Sequence, residues 1–270
     1  MTKKARTSAS RDRIAQLLRS SGPVFSVEHC ASVLEMESDA AARQLADWAR
    51  QGWLKRIKHG FYAPIPMDAI SSEQVLEDVW VVVPTVFAPA YVGGWSAAEH
   101  WGLTEQIFSS ICVLTSKPIK NRSEAIQGQT FSLKKIKKEN FFGLKILWKG
   151  SVKINISDPH RTIADMLNDP ALGGGISHVE KCLLGYLESQ HFDQKLLLSY
   201  LKKLGNKTAF KRLGFLVEGF DGEKYASIIK VCQQNLSEGS SKLDSEYQDL
   251  KTSTRWKLLI PKNWSNHRHD

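Results

Sequence analysis

The sequence predicts an α+β chain in two parts. A small helical unit closed by a β-hairpin comes first, then a larger mixed unit whose strands precede its helices. Three observations carry this. The first 66 residues show three helical periodicities and then a strand–turn–strand pattern. Residues 110–157 hold short runs rich in Ile, Val and Phe. From residue 158 the spacing turns helical again. A chain of 270 residues suits two domains at roughly 100 to 200 residues each.

The opening ten residues, MTKKARTSAS, have almost nothing to bury and are expected as a mobile basic tail. A first helix is expected from about Ser10, with Ile14, Leu17 and Leu18 on one stripe and Gly22-Pro23 as its stop. In VFSVEHCASVLEM, Ser26 is the expected N-cap of a second helix that buries Val27, Cys30, Ala31 and Leu34. SDAAARQLADWARQGW opens with a Ser/Asp cap pair and runs with high helix propensity to Gly52. Ala41, Leu45, Trp48 or Ala49, and Gly52 fit its buried side; Ala42, Arg43 and Asp47 fall opposite, with Ala46 and Arg50 nearby. WLKRI then alternates as a strand does, KHG supplies a glycine turn, and FYA returns until Pro64 and Pro66 end it.

Helix, helix, helix, hairpin is the layout of a winged helix-turn-helix, and the composition fits such a use. An α-helix about 10–12 Å across fits the DNA major groove, about 12 Å wide. SDAAARQ places small residues beside two long donors. Arg43 can pair with guanine and Gln44 with adenine through two bonds each. Ala42 fits close approach, and Ser38 at the helix N-terminus suits a phosphate. The hairpin places Lys55, Arg56, Lys58 and His59 toward phosphates or the minor groove. Residues 1–66 hold eleven Lys/Arg against six Asp/Glu, so this quarter of the chain carries over half of its formal +9.

The stretch PIPMDAISSEQ reads as a linker, which sets the expected domains at 1–66 and 67–270. SEQVLEDVWVVVP is expected as a helix or helix-to-strand passage ended by Pro84. In YVGGWSAAEHWGLTEQ, Ser96 and Glu99 have capping-box spacing. SSICVLTS is a buried strand, and residues 129–157 hold several more. Asp158 caps a helix with Pro159 in its first position and Ile163, Met166 and Leu167 inside. Helices follow at 176–189, 193–204 and 207–218, and STRWKLLIP closes with a late strand.

Catalytic and metal-binding signatures are weak throughout. LGGGIS at 172–177 lacks the GxxxxGK[ST] of a phosphate loop and reads as a flexible loop. His100, His160 and His178 lack a HExxH-type partner and are expected on helix surfaces or ends. Asp158 and Asp165 read as a cap and a helix-face carboxylate. Cys30, Cys112, Cys182 and Cys232 form no CxxC and read as small buried hydrophobes. The lysines of KKIKK, 134–138, are either a solvated edge or an extended partner surface. No apolar run reaches the ~18 residues of a membrane span. No apolar signal core follows the basic start, and a cytoplasmic protein is expected.

Taken together, GFYAP, YVGGWSAAEHWGLTEQ, VLTSK, ISDPHRTIADML and KRLGFLVE, in this order over about residues 10–218, resemble the AbiEi-type antitoxins of bacterial abortive-infection toxin–antitoxin systems. The resemblance implies a transcriptional autorepressor whose winged helix binds repeats in its own promoter. It also implies a C-terminal antitoxin domain acting against a nucleotidyltransferase-like toxin without a stable complex. No catalytic residue, cofactor or metal is implied. Two other readings stay open from the residues alone. One is an enzyme with a nucleotidyl- or phosphoryl-transfer C-terminal domain targeted by the winged helix. The other is a DNA-binding adaptor that acts through protein contacts.

Overall fold

A computed structural model describes residues 3–66 and 75–264, with side chains from residue 10 onward. The chain divides into two compact units. The first comprises Met1–Tyr91, Ser109–Lys135 and Ile146–Asn155; the second comprises Val92–Phe108, Ile136–Lys145 and Ile156–Asp270. Residues 67–74, which include most of the expected linker, lie outside the described residues.

The first unit opens with α1 (Lys3–Ser20), β1 (Phe25–Ser26), α2 (Val27–Val33), α3 (Ser38–Arg50), β2 (Leu54–Lys58) and β3 (Phe61–Pro64). Ile14 and Leu17 of α1, Cys30 of α2, and Ala41, Leu45 and Trp48 of α3 bury one shared core with Phe25, Leu54 and Tyr62. Ser26 caps α2 as its spacing predicts, accepting from the His29 N–H. The hairpin is present, and β1 adds a third strand in the order β1-β3-β2. Two residues of β1 are too short a signal to read, because their pairing partner lies over thirty positions away.

Two details differ from expectation. The first helix begins at Lys3 rather than near Ser10, so most of the expected tail is helical; no Gly or Pro interrupts residues 3–9. The expected Ser/Asp cap of α3 is not formed: Glu37 holds the cap position without a side-chain bond, and Ser38 is already helical. The chain re-enters helix one step early, after Glu35 turns it through positive φ.

Beyond the hairpin, Val79–Val82 forms a 3-10 turn and Val83–Phe87 one turn of π-helix. Pro84 therefore sits inside a helical turn instead of ending one. A proline in a first turn loses no hydrogen bond, which explains the tolerance.

A six-stranded sheet follows, from β4 (Ala90–Val92), β5 (Ser110–Thr115), β6 (Ser123–Ile126), β7 (Gln129–Lys135), β8 (Leu144–Lys149) and β9 (Val152–Ser157). Its order is β6-β7-β5-β4-β9-β8. β5 and β7 run parallel from Ser110↔Thr130 to Thr115↔Lys135, and β6 returns antiparallel on β7. The apolar run Ile111–Leu114 is buried on both faces, as an interior strand requires.

The second unit is mostly helical: α4 (Gly94–His100), α5 (Pro159–Asn168), α6 (Ile176–Glu188), α7 (Gln194–Leu204), α8 (Lys207–Asp221) and α9 (Ala226–Gln234). A small sheet, β10 (Ser241–Lys242), β12 (Leu258–Pro261) and β11 (Leu250–Ser253), closes it in that order. Asp158 caps α5 through the Arg161 N–H, and Ile163, Met166 and Leu167 are fully buried. The Ser96–Glu99 capping box is not formed. Gly93 is the N-cap of α4, and Ser96 is a buried first-turn residue. The α+β class is as the sequence predicts, with strands ahead of helices.

Candidate nucleic-acid interface

The geometry of α3 follows from its composition. Its apolar stripe, Ala41, Leu45 and Trp48, has no exposure, and the Trp48 indole donates to Ser10 Oγ at 2.9 Å. One face of the helix is thus pinned, which turns Ser38, Arg43, Ala46 and Arg50 to solvent with Ala42 and Gln44 half-buried beside them. β2 packs directly on this helix, and the Trp53 N–H donates to the Trp48 carbonyl at 3.0 Å.

On the hairpin, Arg56 and His59 are exposed, and Lys55 and Lys58 are half-buried. Gly60 takes φ +79°, a region that costs an L side chain strain, and nothing crowds its absent Cβ. The Gly60 carbonyl accepts from the Val27 N–H at 3.0 Å, tying the turn to the start of α2.

The eight residues expected to face DNA divide sharply by partner. Among the described residues, the side chains of Arg43, Lys55, Arg56 and His59 have no hydrogen-bond or ion-pair partner within the chain. Ser38 stands at an N-terminus that no side chain caps. Lys58 differs: its ammonium meets the Glu124 carboxylate of β6 at 2.5 Å and lies 5.4 Å from the Phe87 ring centre. Periodicity and spacing do not reveal Glu124 and Phe87, because 66 and 29 positions separate them from Lys58.

Other candidates are absorbed by structure. The LGGGIS segment is packed rather than flexible. A Cβ on Gly173 would lie 2.4 Å from Val179 and one on Gly174 2.8 Å from Phe108, so only glycine fits. The first N–H of α6, on Ile176, already donates to Asp244 at 2.8 Å, which places a carboxylate where a phosphate would sit. His178 is buried rather than on a helix surface. Its Nδ1 bonds the Gly173 carbonyl at 2.6 Å and its Nε2 the Thr104 hydroxyl at 2.8 Å; burial pushes its pKa down. His160 bonds the Tyr186 hydroxyl at 2.7 Å, and burial likewise lowers its pKa. Asp165 is sealed against Arg161 at 2.9 Å in an ion pair almost without exposure. The four cysteines are buried and unbridged; burial pushes the Cys30 thiol up to about 11 and Cys182 and Cys232 up to about 12, which keeps them unreactive. Of the KKIKK lysines, Lys134 and Lys135 end β7, while Lys137 pairs with Glu139 at 3.7 Å.

Residues 12–65, the winged helix from α1 to the end of the hairpin, match the family of transcriptional regulators described as AbiEi antitoxins. This segment is similar to an AbiEi-type domain. The AbiEi match begins within α1 and ends one residue after β3, inside the helix–hairpin unit described above. No curated protein matches the chain. Among solved structures, the crystal structure of the RV2827C protein from Mycobacterium tuberculosis is similar over 94% of this chain and 91% of that one, at 16% identity and a TM-score of 0.55. That likeness extends the shared fold well past the matched segment. Among the described residues no helix is long and apolar enough to cross a membrane.

Proposed function

We propose that the chain is a cytoplasmic transcriptional autorepressor and antitoxin. Residues 1–66 bind repeats in double-stranded DNA upstream of its own gene. Residues 67–270 form the antitoxin domain, directed against a nucleotidyltransferase-like toxin without a stable complex. The chain performs no catalysis and uses no cofactor. One observation carries the DNA half: among the described residues, the side chains of Arg43, Lys55, Arg56 and His59 lack partners within the chain, on a helix and a hairpin that pack on each other. Unpaired cations on a firmly held helix and hairpin have phosphates and base edges as natural acceptors. Arg43 and Gln44 read bases, Ala42 permits close approach, and Ser38 receives a phosphate at the open N-terminus of α3. Lys55, Arg56 and His59 supply the wing.

The test is a titration of the full-length protein against labelled duplex from upstream of its own gene, with a scrambled duplex as control, at two salt concentrations. Tight, sequence-selective binding with a steep salt dependence is expected. Equal binding to both duplexes would remove the assignment of α3 and the wing. Induction of the neighbouring toxin gene with and without this chain tests the antitoxin half; growth restored by the chain is the expected result.

A further inference from the structure

We propose that Lys58 is a positioning residue and not a phosphate contact: with Glu124 and Phe87 it clamps the wing onto the β6–β7 hairpin and sets how the wing is presented to DNA. This rests on the DNA-binding reading above and deepens it. Four observations converge. The pairing of β2 with β3 slips between Arg56 and Lys58, where Arg56 faces Tyr62 and Lys58 faces Phe61. A bulge of this kind re-aims the side chain that follows it. The ammonium so redirected meets Glu124 at 2.5 Å, with the two side chains only 33% and 24% exposed. It also lies over Phe87, which packs on Phe131 of β7 with ring centres 5.3 Å apart. A bond outside the wing, from the Val75 N–H to Gln127 Oε1 at 2.9 Å, holds the turn between β6 and β7.

Among the described residues, Lys58 is the one member of the basic turn whose charge is spent inside the molecule. Lys55, Arg56 and His59 are left without such partners. The Gly60 carbonyl and β1 already hold the wing to the start of α2, and whatever freedom its turn retains must be ordered before a phosphate can bind. A clamp through Lys58 supplies that order in advance.

Glu124→Gln separates the readings by sign. Removing a negative charge near a polyanion strengthens binding by electrostatics alone, and it would also free Lys58 for a phosphate. In the clamp reading the same change weakens binding to the upstream duplex, by roughly two- to fivefold for a half-exposed pair. The charge-reversed double variant Lys58→Glu with Glu124→Lys recovers part of the lost binding, because the ion pair re-forms while the cation over Phe87 does not. If Lys58 were a phosphate contact, the reversed pair would bind worst of all. Lys58→Met leaves the salt slope unchanged in the clamp reading, whereas the loss of a phosphate contact lowers it by about one unit.

Amide hydrogen exchange without DNA keeps this test separate from the DNA-binding reading. Residues 54–64 are expected to exchange faster in Glu124→Gln than in the native chain, and to be protected again in the charge-reversed pair. Unchanged wing exchange, or tighter DNA binding by Glu124→Gln, overturns the clamp. Faster wing exchange in a protein that binds both duplexes equally would keep the clamp and remove the operator assignment instead.

Discussion

The helix–hairpin unit and the second unit put particular cations to opposite uses. In α3 and the wing, the side chains of Arg43, Lys55 and Arg56 stand without partners among the described residues. In the second unit the guanidiniums of Arg212 and Arg161 are consumed by the architecture. Arg212, 9% exposed, donates to the carbonyls of Leu243, Leu167, Asn168 and Lys242. Arg161 pairs with Asp165 and lies 3.9 Å over the Phe142 ring. A cation that recognises must keep its donors unspent, and a cation that builds must spend all of them, since an unsatisfied buried group costs about 1–3 kcal/mol. Formal charge alone does not separate the two uses; the partners do.

Substitutions can break this contrast. Arg212→Met leaves several buried carbonyls without a donor and is expected to cost at least about 3 kcal/mol, read by urea denaturation of the full chain. A cost under about 1 kcal/mol would show that these bonds do not build the second unit. Gly214→Ala places a Cβ 2.0 Å from the Trp256 ring, itself held by its indole on Glu218 at 2.6 Å. Overpacking of this kind costs about 1–3 kcal/mol, seen as a lowered denaturation midpoint.

On the recognition side the signature reverses. Arg43→Ala is expected to change stability by under about 0.5 kcal/mol, while discrimination between upstream and scrambled duplex falls by about 1–3 kcal/mol. A matching loss on both duplexes would make Arg43 a phosphate contact. Arg56→Ala is expected to weaken both duplexes alike and to lower the salt slope by about 0.9, measured by titration across a salt series.

The smallest effect is one of pH. Burial disfavours the charged His178 imidazolium, so its folded pKa lies below the usual histidine value of about 6.5. The unfolded chain then binds a proton that the native chain resists. Stability from this group is complete above about pH 6.5 and falls as pH drops toward the folded pKa. Melting temperatures at about pH 7.5 and about pH 5.5 measure it. His178→Asn should flatten the difference, leaving the part that His160 contributes in the same direction.

Elements with a local cause are legible in the amino-acid sequence. Ser26 and Asp158 cap their helices because a side-chain oxygen reaches an N–H three residues on. Ala41, Leu45 and Trp48 face inward because a helix repeats every 3.6 residues. Where two local signals compete, spacing misleads. Ser96 has the spacing of a capping box, yet Gly93 and Gly94 let the helix begin earlier and draw Ser96 into the core. Gly173-Gly174 has the composition of a loose loop, yet Val179 and Phe108 leave no room there for a Cβ. β1 and β6 are too short for a periodicity and exist through partners that distance in sequence conceals.

The amino-acid sequence by itself determined the helix–hairpin order, the inward stripe of α3 and the surplus of positive charge in the first 66 residues. Each follows from residue type and spacing over a few turns of chain. Only the tertiary structure decided which of those charges stay unspent. Lys58 and Arg56 are two residues apart on one strand, with the same sign and similar reach. A bulge and a glutamate 66 positions away give one of them a partner and leave the other without one.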